Sequence, residues 1–469
     1  MKSIIYQMLP RLWGNGKFSS IDAGSLEYVK GLGAHYIWYT GIIRHATSAT
    51  EKVVKGDAGS PYAIVDYYDV NPYLADNSAN RMQEFLELVE RTHREGLKVI
   101  IDFVPNHVAR ENVNLGKEDN TSVHWAPEND FYYYPGQQLK LPVKCNFKEY
   151  PAKASGNAFT SAPDINDWWE TVRINYCDFH TRTWDKMYEI VRFWALKGVD
   201  GFRCDMVEMV PSQFMQWLIA KIKQEFPQII FIAEVYQKDK YRMYVEEVGF
   251  DLLYDKCGLY DTLRAVSCSG ASATGITRDW QFLGDLQPHM LNFLENHDEQ
   301  RIASDFFCGS AQRGYAALAV SLLWNTAPFM LYFGQEIGEK GMQKEGFSGL
   351  DGRTSIFDWC TVPAFQKPDN QVLAKYMEIL SLSKKPAFAS GPSYDLCYCQ
   401  DGAFNPDRHF AWLRTDGRQC YLLVANFGPD ADITLRIPPE ALDHLGLKAV
   451  RTVYSVTVKA FDYAIVSVQ

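Results

Sequence analysis

The feature that most constrains this chain is a regular alternation of short apolar runs with amphipathic stretches over roughly its first 330 residues. Helix-like stretches cover residues 81–95, 182–196 and 212–226. Strands that alternate with helices form parallel sheets, and eight of them fit a closed (β/α)8 barrel of the TIM type better than an open sheet. We therefore predict an α/β protein with barrel strands at 4–8, 35–40, 97–104, 199–206, 229–235, 250–254, 290–294 and 329–333.

Two parts of the chain depart from this alternation. Roughly 75 residues between the third strand and the helix at 182 are rich in Pro, Gly, Asn and Tyr, and so long an irregular stretch is usually a functional insertion. We predict an inserted subdomain at 107–170, which divides the barrel into residues 1–106 and 171–386. Strand-like segments separated by Asp and Gly turns follow, and they predict a C-terminal all-β sandwich domain at 387–469.

Charge and cysteine usage narrow the classes of partner. A formal net charge of −10 argues against nucleic acid, because phosphate binding needs a basic surface. The N-terminus lacks the features of a secretory signal, and no stretch approaches the roughly 20 apolar residues that cross a bilayer. The ten cysteines have no metal-type spacing. We expect reduced thiols, a cytoplasmic location, no membrane association and no metal ligands among the site residues.

Charged residues stand at the ends of several predicted strands. In GFRCD, Arg203 and Asp205 lie two apart, so an extended chain points both side chains to the same face. In barrels of this kind, catalytic groups emerge at the carboxyl ends of the strands. The other residues at such ends are Asp102, Asn106 and His107 on the third strand, Glu234 on the fifth, and His297 and Asp298 on the seventh.

Each of these residues also has a structural explanation. A single acid after an apolar run most often caps a helix, and Asp102 in particular can tie the third strand to its loop. His107 and His297 can be hydrogen-bonded residues of the core. Four coincidences at one end of a barrel nevertheless favour a functional site over four separate structural roles.

Two carboxyl groups in different environments are what cleavage of a glycosidic bond requires. Arg203 favours the charged form of Asp205, as an attacking group needs. Glu234 must carry a proton for the leaving oxygen, and its pKa should be raised by the neighbouring Ile232, Ala233, Val235 and Tyr236.

A third acid, Asp298, can bind sugar hydroxyls and stabilise the positive charge of an oxocarbenium-like transition state. His297 and His107 can act beside it as hydrogen-bond donors. Because His297 and Asp298 are adjacent, both reach one pocket only if the strand bends there.

The motifs at these strand ends resemble those of the α-amylase family of retaining glycoside hydrolases. DFVPNHV, GFRCDM, AEVY and NHD resemble its four signatures in their order, and APDIN at 162–166 is similar to a further signature of its inserted domain. IIYQMLPRLW resembles its first barrel strand. SPYAIVDYYDVNP resembles the segment whose tyrosine stacks on the sugar, and GLDGRTSIFDW a loop with further sugar-binding residues. The resemblance implies a barrel, an insertion after strand three and a C-terminal β-sandwich.

The resemblance also implies roles for individual residues. Asp205 corresponds to the nucleophile, Glu234 to the general acid/base and Asp298 to the stabiliser of the transition state. The residues implied to contact substrate are Tyr62, His107, Arg203 and His297, with Asp351 and Arg353 in the GLDGRTSIFDW loop.

The chain departs from the family after the nucleophile. Many α-amylases have Lys-His there, where this chain has Val207, Glu208 and Met209. The backbone carbonyl of that histidine helps to bind a structural calcium ion, and the lysine touches acceptor sugars. Asn106 remains as a candidate calcium ligand. We expect that no cofactor is required and that the usual calcium site is altered.

The leading hypothesis is a cytoplasmic retaining hydrolase of α-1,4-linked maltooligosaccharides or starch fragments, with an α-glucan or oligosaccharide as its partner. The mechanism predicts carboxyl groups about 5–5.5 Å apart. The loops at 56–62, 107–170 and 338–353 should decide which linkages are accepted, and the last is either a mobile rim over the pocket or an ordinary solvated loop. The sequence does not indicate an oligomeric state.

Three alternatives remain open. A transglycosylase or sugar isomerase would use the same site but pass the intermediate to a sugar. A non-catalytic carbohydrate-binding protein would share the barrel without the reaction. A metal-dependent hydrolase would take as its ligands Asp102, His107, His297 and Asp298.

Overall fold

The computed structural model describes residues 2–342, 350–447 and 451–468. Within them, eight parallel strands close into a barrel and follow one another around the ring in chain order. Each strand lies inside its predicted range, which confirms the predicted (β/α)8 barrel. The strands are β1 Ile4–Met8, β2 Tyr36–Tyr39, β3 Lys98–Phe103, β4 Gly201–Cys204, β5 Ile230–Ala233, β6 Leu252–Tyr254, β7 Met290–Phe293 and β8 Phe329–Tyr332.

Helices follow the barrel strands, and the three predicted from periodicity are confirmed. The described helices are α1 Ala23–Gly31, α2 Arg81–Arg94, α3 Arg182–Leu196, α4 Ser212–Glu225, α5 Tyr241–Met243, α6 Asp261–Cys268, α7 Thr274–Leu283, α8 Tyr315–Leu323, α9 Pro363–Gln366, α10 Asn370–Ser383, α11 Pro386–Ala389 and α12 Pro439–Leu445. Asp22 starts α1 by accepting a hydrogen bond from the amide of Ser25. Asp369 caps α10 in the same way. Such caps satisfy N–H groups that have no partner inside the helix.

The register of β4 positions the residues at its end. Arg203 lies level with Asp102 on β3 and Ile232 on β5. Gly201 begins the strand, and a Cβ atom there would lie 2.7 Å from Cγ1 of Ile230. A larger residue would therefore push β5 away from β4. The close packing keeps the ends of these two strands side by side.

An inserted segment follows β3 and has short antiparallel pairs of its own. His107–Ala109 pairs with Thr171–Arg173, and Tyr133–Tyr134 pairs with Ala152–Lys153. Earlier in the chain, Ile43–His45 pairs with Ile64–Val70 after β2. The insertion after strand three agrees with the predicted fold class, while the limits 107 and 170 stay predictions.

The C-terminal part is an all-β domain, as predicted. A four-stranded antiparallel sheet is formed, in spatial order, by Ser393–Asp395, His409–Thr415, Cys420–Asn426 and Tyr463–Val468, and Ala431–Arg436 pairs with Val453–Val458. Apolar side chains of both sheets share one core cluster. The predicted limit at 387 stays a prediction. The strands are β9 Ser393–Asp395, β10 His409–Thr415, β11 Cys420–Asn426, β12 Ala431–Arg436, β13 Val453–Val458 and β14 Tyr463–Val468.

The C-terminal sheet packs on the barrel through contacts of β11 and β14 with α8. Every residue of α8 from Ala316 to Leu323 is buried. The buried Arg414 of β10 has no acidic partner among its hydrogen bonds within the described chain. Its guanidinium donates to the backbone carbonyls of Ala387, Trp324, Phe388 and Gly391, at 2.8 to 3.0 Å.

No helix among the described residues has both the length and the apolar character needed to cross a bilayer. The ten cysteines are free thiols, and four of them are buried.

Candidate active site

A cleft opens at the carboxyl end of the barrel and contains the three predicted catalytic acids. Its volume is about 320 Å³. A larger cavity of about 830 Å³ lies between α7 and the C-terminal sheet, but its lining has a single acid, Asp395. The cleft is lined by Lys55, Ser60, Tyr62, His107, Trp168, Glu170, Thr171, Asp205, Met206, Glu234, Tyr236, Asp298, Ile356 and Phe357.

Arg203 joins two of these acids. Its Nη1 atom donates to Oδ1 of Asp205 at 2.7 Å, and its Nη2 atom lies 2.9 Å from Oε1 of Glu234. The guanidinium is fully buried, and its Nε atom donates to the hydroxyl of Tyr254. Because Asp205 and Glu234 follow neighbouring strands, one cation holds the ends of β4 and β5 together.

Both oxygens of Glu234 accept further hydrogen bonds. Oε1 accepts from the hydroxyl of Tyr236 at 2.7 Å, and Oε2 accepts from the amide of Met206 at 2.9 Å. Met206 has φ of 45°, a left-handed conformation that residues other than glycine rarely adopt. Strain of this kind concentrates at functional sites. Here it turns the amide that follows Asp205 toward Glu234.

Burial sets the protonation of the acids. It raises the pKa of Asp205, although Arg203 opposes the shift. It also raises the pKa of Glu234, where Arg203 opposes the shift and Asp205 adds to it. Burial and the neighbouring Glu234 raise the pKa of Asp298 as well. Arg203 alone would favour the ionised form of Asp205, as predicted, but the burial of Asp205 has the larger effect on its pKa. Three acids with raised pKa values hold fewer than three negative charges near neutral pH.

His297 acts as a neutral hydrogen-bond donor. Nε2 of Gln7 donates to its Nδ1 atom at 2.8 Å, so the imidazole proton is on Nε2. That nitrogen faces the hydroxyl of Tyr62 and lies 3.1 Å from Oδ2 of Asp298. Burial lowers the pKa of His297 well below its usual value. Strand β7 ends at Phe293, and the irregular turn after it lets His297 and Asp298 face the same site.

The third-strand residues divide between the cleft and the barrel wall. His107 lines the cleft, its ring packs on Trp168, and burial lowers its pKa to about 3. Asp102 accepts hydrogen bonds from Nε1 of Trp38 and from the hydroxyl of Tyr62, so it ties β3 to β2 and to the loop of Tyr62 instead of to its own loop.

The four residues that a metal-dependent hydrolase would use as ligands do not come together as a metal-binding group. Within residues 2–342, 350–447 and 451–468, no three or more His, Cys, Asp or Glu side chains form a group that could hold a metal ion.

Comparison with known proteins agrees with this geometry. Residues 16–371 match the profile of the family described as "Alpha amylase, catalytic domain". The chain belongs to the α-amylase family. The resemblance of the strand-end motifs is thereby confirmed over most of the chain.

Relatives within and around the α-amylase family carry several names. The chain is 25% identical to alpha-amylase 3 of Dictyoglomus thermophilum over 330 residues, covering 66% of this chain and 61% of that protein. It is 27% identical to an oligo-1,6-glucosidase of Parageobacillus thermoglucosidasius over 235 residues, covering 45% and 35%. It is 26% identical to an alpha-1,4-glucan:maltose-1-phosphate maltosyltransferase of Cereibacter sphaeroides over 268 residues, covering 53% and 34%. The chain thus spans about three fifths of the first of these relatives and about a third of the others.

Solved structures support the fold over the whole chain. A maltogenic alpha-amylase from Thermotoga neapolitana superposes with a TM-score of 0.70 at 22% identity, covering 99% of this chain and 96% of that one. A debranching enzyme from Nostoc punctiforme gives 0.73 at 18% identity, covering 99% and 97%. The C-terminal β-domain is therefore part of an architecture shared with these α-amylase-like proteins.

Asp351 and Arg353 lie beside the main cleft of this α-amylase-family chain. They line a small adjoining cavity of about 40 Å³ together with His297 and Asp298. Nε of Arg353 lies 3.5 Å from Oδ2 of Asp351. Of the predicted rim at 338–353, residues 343–349 lie outside the described residues.

The carbonyl oxygens near Asn106 and Met209, where the resemblance implies a structural calcium ion, already accept hydrogen bonds. The carbonyl of Met209 accepts a hydrogen bond from Nη2 of Arg173, and the carbonyl of Gly156 accepts from Nη1 of Arg173 and from Nδ2 of Asn106. Oδ1 of Asn106 is buried and accepts no hydrogen bond from the described residues. Calcium takes six to eight oxygen ligands, usually including carboxylates. These oxygens do not fit calcium, because the carbonyls of Met209 and Gly156 already accept from Arg173 and only Oδ1 of Asn106 is left.

Several residues of the cleft were not predicted as site residues. Lys55 lies in the loop that leads to Tyr62, and Phe357 lies in the loop after β8. Trp168 and Glu170 belong to the insertion. The pair of tryptophans in NDWWE was a signal for Trp168, because exposed aromatic rings in an insertion suit sugar binding. Tyr236 lies two residues after Glu234, which is the spacing of Arg203 and Asp205. In an extended chain this spacing predicts that both side chains lie on the same face.

Proposed function

We propose that this protein is a retaining glycoside hydrolase that cleaves α-1,4-glucosidic bonds of maltooligosaccharides and starch-type α-glucans. The observation that carries the proposal is the contact of one buried guanidinium, that of Arg203, with Asp205 and Glu234 on adjacent barrel strands. Family membership supports the same reaction class.

In the first step, a carboxylate oxygen of Asp205 forms a bond to the anomeric carbon as the bond to the leaving oxygen breaks. Glu234 donates its proton to that oxygen, and the product is a covalent glycosyl-enzyme. In the second step, Glu234 takes a proton from water, and the water oxygen displaces Asp205. The raised pKa of Glu234 supports its role as the acid. Arg203 favours the ionised form of Asp205.

The neighbouring residues would bind and polarise the sugar. Asp298 is placed to accept from sugar hydroxyls and to stabilise positive charge on the ring. His297 offers its Nε2 proton to a hydroxyl, and His107 is proposed as a further donor. Tyr62 would stack on the sugar at the cleavage site. Asp351 and Arg353, beside Asp298, would contact the next sugar.

The closeness of the two acids supports retention of configuration. An inverting enzyme needs room for a water between its carboxyl groups, which lie about 6.5–9.5 Å apart, whereas a retaining pair lies about 5–5.5 Å apart. One guanidinium contacts both carboxyl groups, at 2.7 Å from Oδ1 of Asp205 and 2.9 Å from Oε1 of Glu234, and this shared contact favours the shorter separation. Proton NMR of maltoheptaose cleavage tests this: the α-anomer should appear first, and initial formation of the β-anomer would exclude the mechanism.

A second candidate function passes the glycosyl group to a sugar instead of to water. The ring of Tyr236, 38% exposed next to Glu234, offers a surface on which an acceptor sugar can stack. Incubation with maltoheptaose, pullulan and sucrose, followed by chromatography, separates the two functions. Net release of reducing ends supports hydrolysis, and longer or rearranged oligosaccharides support transfer or isomerisation.

We also propose a reducing compartment, the cytoplasm, as the site of action, because ten free thiols suit such a compartment. Thiol titration of protein purified from its own cells under denaturing, alkylating conditions should find all ten cysteines reduced. Disulfides in that material would contradict the proposal.

A further inference from the structure

Arg173 is a half-buried cation in the inserted segment, at the end of the strand Thr171–Arg173. Its guanidinium donates to the carbonyl of Met209 at 3.1 Å and to that of Gly156 at 3.4 Å. One face lies over the ring of Phe159, 4.9 Å from its centroid. Among the described residues, its hydrogen bonds go to these carbonyls and to no carboxylate. A buried charge normally has an anionic partner, so this arrangement is unusual.

The carbonyl of Met209 lies at the end of the turn that follows Asp205. Residues Val207–Met209 form a single 3-10 turn directly after Asp205 and Met206. The amide of Met206 donates to Glu234 from its left-handed conformation. Arg173 therefore hydrogen-bonds the C-terminal end of this turn, at Met209. At its N-terminal end the turn follows Asp205, and the amide of Met206 donates to Glu234. The contact of Arg173 with Gly156 fixes that turn to the inserted segment.

We propose that Arg173 is a built-in cation that replaces a structural metal ion between the inserted segment and the turn at 206–209. It is a positioning residue: it acts on Asp205 and Glu234 through the turn and touches no reacting atom. The chain should accordingly fold and hold its site without divalent cations.

The chemistry of the contact favours a side chain over an ion. A guanidinium presents directed N–H donors, which suit single carbonyl oxygens, and its flat face packs on an aromatic ring. A calcium ion at the same carbonyls would meet the positive charge of Arg173, and the described residues form no group of three or more His, Cys, Asp or Glu side chains that could supply its carboxylates. Removing Arg173 should therefore not create a calcium site.

The first experiment measures thermal unfolding of the full chain after treatment with EDTA, with and without added calcium chloride. The expected melting temperature is the same in all samples, within about 1 °C, whereas a bound metal at a hundredfold excess over its Kd would add several degrees. Calcium-dependent stabilisation of the wild type by several degrees would overturn the proposal. This result does not depend on activity, so it stands apart from the test of the proposed function.

The second experiment compares Arg173→Met with Arg173→Lys and with the control Arg94→Met, which removes an exposed arginine of α2. Arg173→Met should lower the melting temperature by several degrees, with no recovery in calcium, and lower kcat roughly tenfold with KM within about twofold. Arg173→Lys should recover part of both losses, and the control should match the wild type. These kcat values rest on the proposed function, but the melting temperatures do not.

An Arg173→Met variant that melts and turns over like the control would contradict the role of Arg173. If Arg173→Met gives no folded protein, Arg173→Gln replaces it, because its neutral amide keeps a donor but removes the charge. Arg173→Gln should still be less stable than Arg173→Lys. Equal or higher stability of Arg173→Gln would show that charge plays no part.

Discussion

The hydroxyl of Tyr236 donates a hydrogen bond to Oε1 of Glu234 across 2.7 Å. The two residues lie two apart at the end of β5, as Arg203 and Asp205 do at the end of β4. A donor to a carboxyl oxygen favours its ionised form, so Tyr236 lowers the pKa of Glu234 against the stronger effect of burial. Tyr236 thus tunes the group proposed as the acid.

Tyr236→Phe should raise the pKa of Glu234, because the donor to its ionised form is lost. Activity at alkaline pH requires protonated Glu234, so the basic limb of the profile of kcat against pH should move to higher pH. A shift of roughly half a unit is expected. Tyr150→Phe, at a side chain that is 69% exposed, is the matched control. An unchanged or lower basic limb would be evidence against this role.

Asp205→Asn should lower kcat by roughly four orders of magnitude or more, because the amide cannot form the covalent intermediate. The fold should persist, since an amide oxygen can still accept from Arg203. Stopped assays on maltoheptaose and circular dichroism measure both properties. Asp185→Asn, an exposed acid of α3, should retain full activity. Comparable turnover in both variants would remove Asp205 as the nucleophile.

Arg203→Lys should move the acidic limb of the pH profile to higher pH. One ammonium cannot reach both acids as the guanidinium does, so the pKa of Asp205, already raised by burial, rises further. Because Asp205 must be ionised to attack, activity is then lost at a higher pH on acidification. A profile of kcat/KM against pH measures the shift, and an acidic limb at lower pH would refute the explanation.

The carboxylate of Glu208, in the turn after Asp205, accepts from the amides of Tyr236 and Gln237 at 2.8 and 3.2 Å. Glu208→Ala should release the loop that carries Tyr236, lowering kcat by about tenfold while stability changes by less than about 1 kcal/mol. Glu189→Ala, at a half-exposed helix position, is the control. Wild-type kcat in Glu208→Ala would mean that other contacts hold the loop.

Arg414→Met should lower the free energy of unfolding by about 3 kcal/mol, because buried carbonyls lose their donor. Urea denaturation followed by tryptophan fluorescence measures the loss, and Arg418→Met on the exposed turn between β10 and β11 serves as control. A loss no greater than in the control would show that water replaces the guanidinium.

The barrel and the main acids were predictable because they depend on local patterns. Apolar runs located all eight strands, and the spacing of Arg203 and Asp205 placed both on one face. Burial depends instead on residues distant in sequence, so the net rise in the pKa of Asp205 was out of reach. The left-handed backbone of Met206 and the contact of Arg173 with Met209 arise only when the insertion meets the barrel. Neither leaves a pattern in the sequence.

The burial of α8 has a consequence for how this enzyme can be divided. Other helices of a barrel present a polar side to water. Residues Ala316 to Leu323 are instead buried on both sides, by the barrel strands on the inner side and by the C-terminal sheet on the outer side. A fragment that stopped before β10 would leave that side of the helix bare and would self-associate through it. The C-terminal sheet therefore covers the outer face of α8, an apolar surface that the barrel alone would expose to water.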